Sequence, residues 1–186
     1  MKRRNVLAGL AATLTAGCSK IGDSQAFANL VDGAEKLHKG AHRLLGGGVA
    51  MALADRDAPD VLVTIGTFTR LRDMVSGLAR AMAPDAYRNL DRAKTITAPW
   101  FLVHGFADDV VPAAHGQALH AIAGEAGRSG ASFAIVGGGH RPNGATLLRI
   151  LEAIRTREPG GAPSTGAVPD SVKVIPFGQT TPLPAG

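Results

Sequence analysis

Two short segments hold the side chains best suited to chemistry. FLVHGFADDVVPAAHG, residues 101–116, carries Asp108 just beyond an apolar run, and ASFAIVGGGH, residues 131–140, ends in His140. A carboxylate that accepts the proton of one imidazole nitrogen fixes the tautomer and leaves the other nitrogen as a base. Such a pair takes a proton from a hydroxyl or a water and returns it to a leaving group. Both apolar runs read as buried strands. In open α/β sheets the functional groups sit beyond the C-terminal strand ends, and neighbouring parallel strands lie about 5 Å apart. The two loops are therefore expected to bring Asp108 and His140 into hydrogen-bond contact, with the glycines before His140 allowing a sharp turn.

Each residue also has a plainer reading. Asp108 fits a turn or a helix cap, a task open equally to Asp109, and His140 fits a turn before Pro142. The joint spacing, strand–H-G-x-x-D–V-P followed by strand–GGGH, favours the pair. His104 belongs to the strand end and reads as structural. His38, His115 and His120 lack partners at metal-ligand spacing. His38 and His42 stand four apart without a third ligand, so no metal site is expected. The glycine run at 46–48 lacks both G-K-[ST] and G-x-G-x-x-G, and no cofactor is expected.

The elements that must position these residues alternate. GGGVAMALADRD reads as a glycine-led helix, APDVLVTIGTF as a buried strand, and TRLRDMVSGLARAM as a helix stopped near Pro84. DAYRNLDRAKTITAP reads as a polar connection. PWFLVHGF is the next strand, AAHGQALHAIAGEAG a helix, ASFAIVGGG a strand and NGATLLRILEAIRTRE the last helix. Short apolar strands alternating with helices of this length predict βαβ units, a parallel sheet and right-handed crossovers. Residues 158–186 are rich in Pro, Gly, Ser and Thr and read as an extended or disordered tail. VKVIPF inside that tail is a candidate edge strand or docking contact.

LVHGFADDVVPAAHGQAL, with GGGH about thirty residues later, resembles the C-terminal half of α/β-hydrolases, in the serine-aminopeptidase-like and dienelactone-hydrolase-like branch. GGGVAMALA resembles the helix that follows the nucleophile there. TIGTFTRLRDMV is similar to the segment after the next strand. The resemblance runs from about Leu45 to Arg155 and implies a three-layer α/β fold with a mostly parallel sheet. It also implies Asp108 as the acid and His140 as the base of an acyl-transfer triad, in the family's chain order. Two departures stand out. The nucleophile position falls on Leu44, and leucine cannot attack a carbonyl. The upstream strands of the family have no counterpart in the residues between Cys18 and Leu44, so the sheet is expected to be truncated to about three core strands. Ser76, Ser129 and Ser132 are badly placed as substitutes, and Thr67, near a strand end, is the remaining hydroxyl of interest.

The N-terminus reads as an address. MKRR is cationic, NVLAGLAATLTAG is apolar and small, and Cys18 follows. This order describes a secretory signal. The apolar run is shorter than the roughly 20 residues a spanning helix needs. T-A-G-C resembles the bacterial lipobox, which makes Cys18, the only cysteine of the chain, the lipidation site. Residues 1–17 are then a signal, 18–45 a helical segment with Phe27, Leu30, Val31, Ala34 and Leu37 at helical spacing, 46–157 the hydrolase-like domain and 158–186 the tail. AFANLVDGAEKLHKGAHRLL is also loosely similar to the precursor segment of some sulfite-oxidase-like molybdoenzymes, without any cofactor-binding residue. The formal charge of +5 falls to +2 without Lys2, Arg3 and Arg4, so nucleic acid is not an expected partner. The expected location is the bacterial envelope, held by lipid. The expected partners are a small ester or amide and a chain that completes the sheet. Two other readings stay open: a non-catalytic envelope-anchored binding or scaffold protein, and a hydrolase fragment fused to a foreign leader.

Overall fold

The apolar runs of the sequence become the strands of one sheet in a computed structural model, which describes residues 46–75, 77–83, 85–158, 163 and 165–179. The expected signal, the N-terminal helical segment, Cys18, the His38/His42 pair and Leu44 lie outside the described residues. In chain order the elements are helix α1 (46–56), strand β1 (Leu62–Ile65), a 3-10 turn at Leu71–Met74, helix α2 (Gly77–Met82), helix α3 (Asn89–Thr95), strand β2 (Trp100–Gly105), helix α4 (Ala113–Glu125), strand β3 (Gly130–Ile135), helix α5 (Gly144–Arg155), a 3-10 turn at Thr165–Ala167 and strand β4 (Val172–Pro176).

The sheet order is β1-β2-β3-β4. Strands β1, β2 and β3 are parallel, with Leu62 opposite Trp100 and Trp100 opposite Gly130. Every residue of β2 is buried, as expected of a parallel strand covered on both faces. Its side chains alternate between two cores, as the period of two requires. Trp100 and Leu102 pack with Met51 and Ala54 of α1, Ala93 of α3, and Leu119 and Ala123 of α4. Phe101 and Val103 pack with Phe133 and Ile135 of β3 and with Ile150 and Ile154 of α5. The chain thus has the three-layer α/β architecture expected of it, with a mixed four-stranded sheet. Each fully buried Leu, Ile or Phe in these cores contributes about 1.5–3 kcal/mol. The Trp100 indole donates to Thr64 Oγ1 at 2.9 Å, which satisfies its one buried polar atom.

Helix α5 starts where the sequence places it. Asn143 caps it, its side chain accepting from the Ala145 amide at 2.8 Å. Helix α4 opens directly after Pro112, a residue whose missing N–H costs nothing there.

Three expectations are corrected. The single helix expected over 69–82 is a 3-10 turn and a separate six-residue helix. The Thr69 side chain bonds to Asp73 and to His115 of α4, and Asp73 accepts from Arg80 further along the segment, which holds the first half in a turn. The polar connection expected over 85–99 contains α3. Its helical state rests on tertiary packing: Leu90 and Ala93, three apart, enter the first core. The segment read as an extended or disordered tail is ordered where the candidate edge strand lies: VKVIP forms β4, antiparallel to β3, with Val174 opposite Phe133. Apolar burial on both faces decides this: Val172 and Val174 share one face and pack into the second core, and Ile175 is buried on the other, while Lys173 is exposed.

Candidate active site

Asp108 and His140, 32 residues apart, meet where β2 and β3 end. His140 Nδ1 lies 2.9 Å from Asp108 Oδ2. The carboxylate only accepts, so Nδ1 carries the proton and Nε2 is left as the basic nitrogen. The other oxygen, Oδ1, accepts from the amides of Val110 at 2.9 Å and Val111 at 2.7 Å. Asp108 therefore performs the turn-making task and the imidazole-orienting task at once, one with each oxygen, while Asp109 beside it is exposed. The carboxylate is wholly buried and the His140 ring is 13% exposed, so the contact is shielded from water and the ring remains reachable.

Glycines make this meeting possible. The loop after β3 crosses directly over the end of β2, and the Ala107 amide donates to the Gly138 carbonyl at 2.8 Å. A Cβ on Gly105 would stand 2.2 Å from that same carbonyl oxygen, so only glycine fits at the crossing. Gly66, the first residue after β1, closes the third side. Its φ of +56° is one that L side chains rarely adopt, and a Cβ there would come within 2.9 Å of the His140 ring.

His104, read from the sequence as structural, is buried and donates from Nε2 to the Val111 carbonyl at 2.8 Å. Its pKa is lowered by burial, which keeps the ring neutral. His115, also held low by burial, sits on α4 with Nδ1 2.8 Å from Thr69 Oγ1. His120, lowered by burial as well, accepts from the Ser132 hydroxyl at 2.8 Å. Its Nε2 points at the Gln179 carbonyl, 3.4 Å away. Ser132 is thus bonded inside the protein. Thr67 is fully buried, and its hydroxyl abuts the Cα of Gly47 in α1. Neither hydroxyl is exposed to a substrate. Ser129 lends its carbonyl to the Trp100 amide. Among the described residues no group of three or more His, Cys, Asp or Glu side chains is placed to hold a metal ion. None of the described helices is long and apolar enough to cross a membrane.

Sequence reasoning missed two supports of the site. Asn89 is fully buried; its side chain donates to the Phe68 carbonyl at 2.9 Å and its amide to the Thr69 carbonyl at 2.8 Å, stapling α3 to the segment that begins with Gly66. The Gly66 contact is the other. Its only sequence signal is a glycine immediately after a predicted strand.

No protein-family model matches the chain, and no curated protein matches it. Among solved structures it is similar to a puromycin-hydrolyzing peptidase of Mycobacterium tuberculosis, at 19% identity and a TM-score of 0.49 over 64% of this chain and 22% of that one. The acylaminoacyl peptidase of Pyrococcus horikoshii is similar at 16% identity and a TM-score of 0.43, over 56% of this chain and 19% of that one. The esterase domain of a Rhodothermus marinus protein is similar at 15% identity and a TM-score of 0.40, over 52% of this chain and 49% of that one. The chain thus spans about a fifth of the length of the two peptidases and about half of the esterase domain.

Proposed function

We propose that this chain is an α/β-hydrolase-like protein carrying the acid–base half of an acyl-transfer site, with Asp108 orienting His140 and His140 acting as the base. The observation that carries this reading is the 2.9 Å contact between His140 Nδ1 and a carboxylate whose other oxygen is held by two backbone amides. In such a site the free Nε2 takes the proton of an attacking hydroxyl while the carboxylate stabilises the imidazolium. The same nitrogen then protonates the leaving alcohol or amine, so the substrate class is a small ester or amide.

Leu44 occupies the position at which the sequence pattern expects the nucleophile, and removal of a nucleophile costs several orders of magnitude in rate. The chain is accordingly a severely weakened hydrolase. The signal-like leader and Cys18 support an envelope location with a lipid anchor. A partner strand alongside the outer edge of β1 belongs to the same reading, because β1 pairs only with β2 among the described residues. The leucine also favours a second reading, an envelope-anchored protein that binds in this cleft without turnover.

Fluorophosphonate labelling of the native chain, His140→Ala, Leu44→Ser and Leu44→Ser/His140→Ala tests the proposal. Labelling of Leu44→Ser alone is the expected outcome. Labelling of the native chain, abolished by His140→Ala, would mean that another nucleophile works with this histidine and that the enzyme is not impaired at Leu44. No labelling of any chain would reject the acyl-transfer reading in favour of binding.

A further inference from the structure

Asp108 Oδ2 faces two imidazoles. His140 Nδ1 is 2.9 Å away and His104 Nε2 is 3.8 Å away. Only one of them receives the carboxylate, and the geometry shows why. His104 sends its Nε2 proton to the Val111 carbonyl at 2.8 Å. The Val111 amide in turn donates to Asp108 Oδ1 at 2.7 Å. One peptide residue is thus held at both ends, by the ring through its carbonyl and by the carboxylate through its amide. The Asp108 carboxylate cannot swing toward His104 without giving up the Val110 and Val111 amides, and Val111 cannot move while the ring holds its carbonyl. His104 has no freedom of its own: its ring lies against Gly116 of α4, where a Cβ would come 2.7 Å from Nδ1. Among the described residues Nδ1 finds no hydrogen-bond partner, so the Val111 contact is the one among them that fixes the ring's polar edge. Burial keeps the ring neutral, so His104 does not draw the Asp108 charge to itself.

We propose that His104 is a positioning residue that, through Val111, aims Asp108 Oδ2 at His140 and so fixes the His140 tautomer. This deepens the acyl-transfer reading and rests on it for its functional meaning. A filler role for His104 requires nothing of its Nε2 proton. The positioning role requires that proton, and it requires the ring to stay where Gly116 allows it.

The test uses the full chain with ¹⁵N-labelled histidine, at a pH alkaline enough for neutral imidazoles, and reads the ring-nitrogen shifts of His140. The parent chain is expected to show a single Nδ1–H tautomer. His104→Gln, whose side-chain amide can donate to the same carbonyl, is expected to keep it. His104→Leu, which fills space without a donor, and Gly116→Ala, which displaces the ring without changing its chemistry, are each expected to give a mixture of tautomers. In a Leu44→Ser background, fluorophosphonate labelling is expected to slow on the order of 100-fold in His104→Leu, the scale of a small misplacement of a catalytic group. Under the same conditions His104→Gln should remain close to its parent.

Thermal melting of each variant separates folding from positioning, because a filler role lowers the melting temperature and leaves the tautomer alone. A single Nδ1–H tautomer in folded His104→Leu or folded Gly116→Ala overturns the proposal. So does loss of that tautomer in folded His104→Gln, which decides the matter even where the other two variants do not fold. If no Leu44→Ser chain labels, the acyl-transfer reading fails, while the nitrogen shifts still decide the role of His104.

Discussion

Asp108 divides its two oxygens between a turn and an imidazole, and this division predicts an asymmetric response to Asp108→Asn. The amide oxygen of asparagine still accepts from Val110 and Val111, so the loop stays folded and stability changes by about 1 kcal/mol. The amide nitrogen, by contrast, donates toward His140 and selects the wrong tautomer. In a Leu44→Ser background, fluorophosphonate labelling is expected to fall by about 10³–10⁴, while the thermal midpoint shifts by only the few degrees that about 1 kcal/mol carries. The neutral histidines give a second residue-scale prediction. His104, His115 and His120 are all held below the ordinary histidine range, in each case first by burial. As the pH falls through about 6.5 the unfolded chain takes up protons that the folded chain refuses. The unfolded state then binds more protons, so stability is complete above that pH and declines below it. Thermal midpoints at about pH 5 should lie below those at about pH 7.5, and the gap should narrow in His120→Gln. An equal gap in that variant would show that His120 does not contribute.

At the scale of elements, the site is a convergence of strand ends. Strands β2 and β3 end in the loops that supply Asp108 and His140, and the chain leaving β1 presses Gly66 against the imidazole. Gly66→Ala would force an L residue into the left-handed region and drive its methyl group into the ring. The expected cost is about 1–2 kcal/mol for the backbone alone, with a loss of Leu44→Ser labelling in the same variant. Urea unfolding followed by the fluorescence of Trp100, the only tryptophan, measures the first effect. Helix α3 supports the same region through Asn89. It is seven residues long, too short to be stable alone. It exists because Asn89 ties its start to the Phe68 and Thr69 carbonyls and because Leu90 and Ala93 enter the core.

For the molecule as a whole, the antiparallel strand β4 ties the end of the described chain to its centre. It covers the outer side of β3, and the turn after it sets the Phe177 ring 5.4 Å from Trp100 and 5.4 Å from His120. Those two residues lie on β2 and α4, so one aromatic ring joins the late strand to both. Phe177→Ala should lower the unfolding free energy by about 3 kcal/mol or somewhat less, since the ring is only partly buried. It should also shift Trp100 emission in the folded state. An unchanged spectrum together with an unchanged urea midpoint would show that β4 is an accessory. The two outer strands of the sheet among the described residues also differ. Strand β4 carries Lys173 and ends on Pro176, features that blunt an edge, whereas β1 reads LVTI without charge or proline.

The sequence by itself determined the strands β1 to β3, the helices α1, α4 and α5, and the meeting of Asp108 with His140. Each of these follows from a local signal: an apolar run, a helical repeat, or a polar residue just past a strand end, where parallel pairing fixes the distance. Helix α3, the broken segment at 69–82, the Asn89 staple, the Gly105–Gly138 crossing and the bond from His104 to Val111 were decided by tertiary structure. In most of these the energy comes from a group brought near only by folding: Asn89 meets Phe68 across 21 residues, and His115 meets Thr69 across 46. His104 and Val111 are only seven apart, yet the value of their bond lies in the carboxylate it aims at His140, which no local pattern displays.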